Sequence, residues 1–139
     1  IAGPDGRPLI GVDLKKSKAI LERAYNDKAG VTADFNLNLL ARINRELGAD
    51  FYLRQWRHQA IYNEKIGRIE MHLISTIPQT VAIDDAAFKF AAGEQIITEF
   101  SYKYSPAEMI AMAATAGLGF EKIWTDEQEL FGLFLFSRR

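Results

Sequence analysis

The chain has 139 residues, 48% hydrophobic and 25% charged, a composition that suits one ordinary soluble globular core. Seventeen basic against eighteen acidic residues leave a formal charge of −1, so no overall field favours nucleic acid or an anionic membrane surface. The absence of cysteine excludes disulfides and thiolate chemistry, and no apolar run approaches the ~20 residues of a membrane-crossing helix. A start without a signal-like segment points to a cytoplasmic location.

Residues 1–13 read as a loop followed by a short apolar strand ending near Asp13, which resembles one βα unit of a larger sheet more than the start of a small domain. A helix follows over about 17–26, with Ala19, Ile20, Leu21 and Ala24 at helical spacing, and Gly30 breaks the pattern. A second helix runs from about 32 to 47, where Phe35, Leu39, Ile43 and Leu47 are four apart and Gly48 stands at the C-terminal cap. The stretch 51–56 is too short to assign.

The period then changes from four to two. Residues 57–62, 68–77, 80–83, 87–90 and 94–104 read as strands, broken at 63–67, at Pro78, at 84–85 and at Gly93, and together predict an antiparallel meander. Ser105-Pro106-Ala107-Glu108 has the spacing of a capping box with proline at the first helical position. It predicts a helix from Pro106 to about Ala116, stopped by Gly117. Residues 120–124 and 130–136 close the chain as a strand pair, and the fold class is α+β without repeats or low-complexity linkers.

The usual chemical signatures are missing. His58 and His72 are too far apart in sequence for a helical metal pair, and no HExxH, CxxC, EF-hand loop, phosphate-cradling glycine pattern or nucleophile elbow occurs. What remains are polar residues at odd places. In RIEMHL, Ile69, Met71 and Leu73 share one strand face and Glu70 and His72 the other, predicting a buried side and a polar side. In IITEFSYKY, alternation puts Ile97, Glu99, Ser101 and Lys103 on one face and Ile96, Thr98, Phe100, Tyr102 and Tyr104 on the other. Glu99 and Ser101 then stand roughly 6.6 Å apart at ~3.3 Å per residue, a spacing that suits two contacts to one small polar ring and equally suits a wet strand face.

The segments GVDL, AYNDKAGVTADFNLNLLARINRELGADF, GRIEMHL, AAGEQIITEFSYKYSPAEM and WTDEQELFGLFL occur in this order. Together they resemble the histidine-specific, S-adenosylmethionine-dependent methyltransferases, whose characterised members make the trimethylated histidine betaine of ergothioneine biosynthesis. The resemblance implies a doubly wound methyltransferase sheet with a smaller substrate domain inserted before its last strands. On that template the chain is a C-terminal portion: 1–14 a strand of the methyltransferase sheet, 15–104 the substrate-binding domain, 105–139 the closing helix and strand pair. The glycine-rich loop that faces S-adenosylmethionine, and an asparagine and a tyrosine near the substrate amine and carboxylate, then belong upstream of Ile1. No cofactor-binding residue and no metal ligand is expected here.

The same resemblance implies four substrate-binding residues. Tyr25, in the A-Y-[ND]-D motif, matches a contact to the substrate carboxylate, a suitable partner for a phenol donor. Met71, in I-E-M, matches the lining of an imidazole pocket. Glu99 and Ser101, in T-E-x-S-x-K, match the residues that hold the two imidazole nitrogens. The implied activity is methylation of the α-amine of histidine, with the fragment alone inactive, no single catalytic residue assigned, and histidine as the partner rather than nucleic acid or membrane. Two other readings stay open: a non-catalytic amine or amino-acid binding module that self-associates through unpaired strands, and a paralogous methyltransferase for another amino acid.

Overall fold

The computed structural model describes residue 3 and residues 6–138. The chain divides into two units, one made of residues 1–17 and 102–139, the other of residues 18–101. Each is a mixture of helix and antiparallel strand.

In the unit built from both chain ends, β1 (Leu9–Asp13), β7 (Leu118–Thr125) and β8 (Phe131–Arg138) form an antiparallel sheet in the order β1-β8-β7. Strand alternation sends Phe134 and Phe136 inward, where α3 (Pro106–Thr115) covers them with Met109 and Ala113. Phe131 and Leu133 point the other way and are exposed. The capping box forms as its spacing predicts: Ser105 Oγ accepts from Glu108 N, the Glu108 carboxylate accepts from Ser105 N at 2.7 Å, and Gly117 ends the helix at φ 75°. Below it, the Lys103 ammonium is almost fully buried and reaches Asp13 Oδ2 at 2.7 Å, while Lys16 donates to Asp13 Oδ1 at 2.6 Å. Burial raises the Asp13 carboxyl, but the hydrogen bonds and charges of Lys103 and Lys16 outweigh it and hold the group below its ordinary value.

The second unit holds α1 (Lys18–Tyr25), α2 (Val31–Leu47), a short 3₁₀ turn (Leu53–Gln55) and five strands: β2 (Trp56–Asn63), β3 (Arg68–Ser75), β4 (Gln79–Ile83), β5 (Ala86–Phe90) and β6 (Gln95–Tyr102). The strands do not form the predicted meander. β4 and β5 make a separate two-stranded sheet, closed by a tight turn in which Asp84 has φ 51°, and β6 comes back to pair with β3, giving the order β2-β3-β6. Ser75 is the hinge of that return: its N–H donates to Glu94 O at 2.9 Å and its carbonyl accepts from Gly93 N at 2.8 Å. The hairpin does not swing free, because Val81 is buried among Leu40, Phe51, Trp56 and Leu73.

One face assignment is corrected, and one apolar row proves not to mark a face. The row Phe35, Leu39, Ile43, Leu47 of α2 does not keep to one side: Phe35 is 65% exposed and Leu47 57%, Ile43 packs on the core, and Asn36 at 2% and Leu40 at 1% point inward. Each step of four residues overshoots a turn by about 40°, so a row of three such steps drifts by about 120° and cannot stay on one side. Nor does β3 have a wet side, since Glu70 and His72 are buried along with Ile69, Met71 and Leu73. β3 is the central strand, and its polar side chains turn to neighbours: Arg68 and Asn63 donate to Glu70, and His72 Nδ1 bonds Gln95, while His72 Nε2 lies 3.5 Å from Glu70 Oε2 and makes no hydrogen bond among the described residues.

Candidate substrate-binding site

In the motif AYND, residues 24–27, Tyr25 and Asn26 tie the end of α1 to the sheet and Asp27 caps the start of α2. The Tyr25 carbonyl accepts from His58 Nε2 at 2.9 Å. Asn26 pairs with the backbone of Ala60 in both senses, donating to its carbonyl and accepting from its N–H at 2.9 Å each. The Asp27 carboxylate accepts from the N–H groups of Val31 and Thr32, both at 2.9 Å, and so supplies the cap that Gly30 cannot. Those backbone donors, Thr32 first, pull the Asp27 carboxyl down to about 2. With its backbone fixed in this way, Tyr25 places its phenol Oη 3.0 Å from Ser101 Oγ on β6.

Met71 is buried on the helix side of β3, in a cluster with Leu21, Ala60, Tyr62 and Ile69 against which Tyr25 packs. It also borders a hollow of about 190 Å³ lined by Phe35, Leu39 and Arg42 of α2, by Met71, and by Thr98 and Glu99 of β6. Glu99 is exposed there, and its carboxylate has no hydrogen bond or ion pair among the described residues. Tyr25, Met71, Glu99 and Ser101 therefore all belong to the unit of residues 18–101. Two of them meet in a hydrogen bond, and two line one hollow.

The predicted alternation along β6 is wrong in one respect. Ile96 packs into the helix-side core and Thr98 reaches Asn36 of α2, yet Phe100 lies under the Arg68 guanidinium, 3.5 Å from ring centroid to Cζ, on the opposite side of the sheet. Ser101 then faces α1 through Tyr25. The phase of alternation changes between Thr98 and Phe100, the effect a β-bulge has, and it lets the adjacent Thr98 and Glu99 line one hollow.

Three residues that bear on this site were not identified from sequence. Asn36, His58 and Thr98 form a polar chain between α2, β2 and β6, with Asn36 buried and the other two partly so: Asn36 Nδ2 donates to His58 Nδ1 at 3.0 Å and to His72 O at 3.2 Å, and its Oδ1 accepts from Thr98 Oγ1 at 2.6 Å. The available signal was polarity in an apolar row. His58 shares a strand face with Trp56, Ala60 and Tyr62, and Asn36 stands one helical turn before Leu40.

The sequence pattern of the histidine-specific, S-adenosylmethionine-dependent methyltransferases matches residues 2–138. A histidine N-alpha-methyltransferase of Mycolicibacterium smegmatis is 46% identical over 137 residues, which cover 97% of this chain and 43% of that protein. Ergothioneine biosynthesis protein 1 of Neurospora crassa is 33% identical over 99% of this chain and 16% of its own length. An L-tryptophan methyltransferase of Psilocybe serbica is 33% identical over 90% of this chain and 36% of its own length. The chain thus spans less than half the length of these relatives, and with a match that runs from residue 2 to residue 138 it belongs to the family of histidine-specific, S-adenosylmethionine-dependent methyltransferases.

Proposed function

We propose that this chain carries the part of a histidine α-N-methyltransferase that grips the substrate, with the hollow between α2, β3 and β6 as the imidazole site. The observation that carries the reading is a carboxylate without a partner among the described residues, Glu99, on the same strand as a serine already hydrogen-bonded to Tyr25. Glu99 accepts from one ring N–H and Ser101 bonds the other nitrogen, giving up its contact to Tyr25, whose phenol then turns to the substrate carboxylate. Met71 supplies an apolar, polarisable wall.

S-adenosylmethionine supplies the methyl group in this reading. The residues described here do not by themselves fit it: the two passages from strand to helix, residues 14–17 and 103–105, contain no glycine that would let a backbone approach a cofactor. The contribution of this chain is therefore positional. Methyl transfer to an amine is an in-line displacement, and holding the ring and carboxylate aims the α-nitrogen while the apolar wall keeps water out. The residue-scale assignments and a cytoplasmic location belong to the same proposal.

The similarity to an L-tryptophan methyltransferase favours one other reading, a site for a larger aromatic side chain. Calorimetric titration of the chain with L-histidine, L-tryptophan, histamine and L-leucine separates the two. Heat with histidine and none with leucine supports the proposal, preference for tryptophan supports the second reading, and equal heats for all four rule out a shaped ring pocket.

A further inference from the structure

We propose that the hydrogen-bonded chain His58–Asn36–Thr98 is a positioning device that fixes the end of α1, with Tyr25, against β6, with Glu99 and Ser101. The inference rests on the reading of the hollow as a histidine site. Its basis is a set of hydrogen bonds that can run in one sense only. The Tyr25 carbonyl can only accept, so the His58 nitrogen 2.9 Å away, Nε2, carries the proton. Nδ1 of the same ring is then an acceptor, matched to the Asn36 amide donor at 3.0 Å. The second amide hydrogen goes to His72 O, which also fixes which end of Asn36 is oxygen, and that oxygen accepts from Thr98 Oγ1.

Every polar atom of Asn36 is committed, and the residue is almost fully buried, so it has no donor left for a ligand even though it borders the hollow. What it holds are the neighbours of the site residues. Thr98 precedes Glu99 and stands just before the change of phase along β6, and its hydroxyl has the Met71 carbonyl at 3.0 Å as an alternative acceptor. Without the Asn36 contact, Thr98 has a second place to go, and the placement of Glu99 is no longer tied to that of Tyr25. Asn36, His58 and Thr98 are thus positioning residues that act through Tyr25 and Glu99.

The test is histidine affinity of the chain, followed by NMR titration, in Thr98→Val, which keeps the shape and removes the hydroxyl, and in Thr98→Ser, which restores it. Thr98→Val should weaken histidine binding by about five- to tenfold, the scale of one lost hydrogen bond, and Thr98→Ser by less than about twofold. In a Glu99→Ala background Thr98→Val should cost less than about twofold, because there is no carboxylate left to place. Equal losses for valine and serine, or an undiminished loss in the Glu99→Ala background, overturn the inference while leaving the site reading intact. Unchanged affinity in Glu99→Ala alone, or no histidine binding by the parent, overturns the site reading and the inference with it. One further readout needs no variant: long-range ¹H–¹⁵N spectra should show the His58 ring protonated at Nε2 only, and a ring protonated at Nδ1 refutes the chain.

Discussion

Glu99 is the residue where folding and binding separate most cleanly. Its carboxylate is exposed and has no hydrogen bond or ion pair among the described residues, so Glu99→Ala should change stability by no more than about 0.5 kcal/mol, the usual range for a surface position. On the proposed reading it removes a charged acceptor from the imidazole, and histidine binding should weaken by about 1.5–3 kcal/mol, measured by calorimetry beside a thermal melt of the same variant. A variant that melts like the parent and binds histidine like the parent would take Glu99 out of the site. Tyr25 is different, because its phenol is already engaged with Ser101 and its ring packs on a core cluster. A loss on replacing it therefore mixes stability with affinity.

At the scale of elements, the start of α2 and the end of β1 each depend on one carboxylate. Asp27 accepts the N–H groups of Val31 and Thr32, and its pKa falls from 3.8 to about 2 in the folded chain. A group depressed in this direction contributes stability that is fully present above about 3.8 and is lost as the pH falls toward about 2. Asp27→Asn should therefore melt below the parent at neutral pH, with the gap closing between about pH 4 and pH 2. A gap that is constant with pH would show that the charge plays no part. Asp13 is held by Lys16 and by the buried Lys103. Asp13→Ala takes a carboxylate away from the buried Lys103 and should lower stability in chemical denaturation by more than Lys103→Met, which leaves Asp13 with Lys16. The reverse order would mean that Lys103 is not the group that depends on the pair.

For the whole molecule, the relevant fact is length. Residues that match the family run through this chain from 2 to 138, yet they cover only 43% of the Mycolicibacterium smegmatis relative. All four proposed substrate contacts lie in the unit of residues 18–101, and no glycine stands in either strand-to-helix passage. The expectation is that the 139-residue chain takes up L-histidine in calorimetric titration and shows no heat with S-adenosylmethionine. Cofactor heat without histidine heat would reverse the division of labour proposed here. Among the described residues no helix is long and apolar enough to cross a membrane.

Local signals in the sequence carried through wherever a few neighbouring residues decide the outcome. The Ser105–Glu108 box, Gly48 and Gly117 after their helices, and the pairing of the last two strands all depend on contacts close along the chain, and all formed where their spacing placed them. The family, too, was legible, because the matching motifs lie in order along nearly the whole chain. Which side chains face inward was not. In the apolar row of α2, Phe35 and Leu39 turned out to rim a hollow while Ile43 packs on the core, the polar side chains of β3 were buried among Arg68, Asn63 and Gln95, and the β4–β5 hairpin left β6 to pair with β3. Most of all, periodicity gave no hint that the alternation along β6 changes phase beside Glu99, or that Asn36 and His58 would be the groups beneath it. By itself the sequence determined the helix ends, the class of the fold and the family. Only the tertiary structure decided the faces and the hydrogen-bond chain through Asn36, since a strand's side chains take their roles from partners distant in sequence, and those partners are known only once the chain has closed around them.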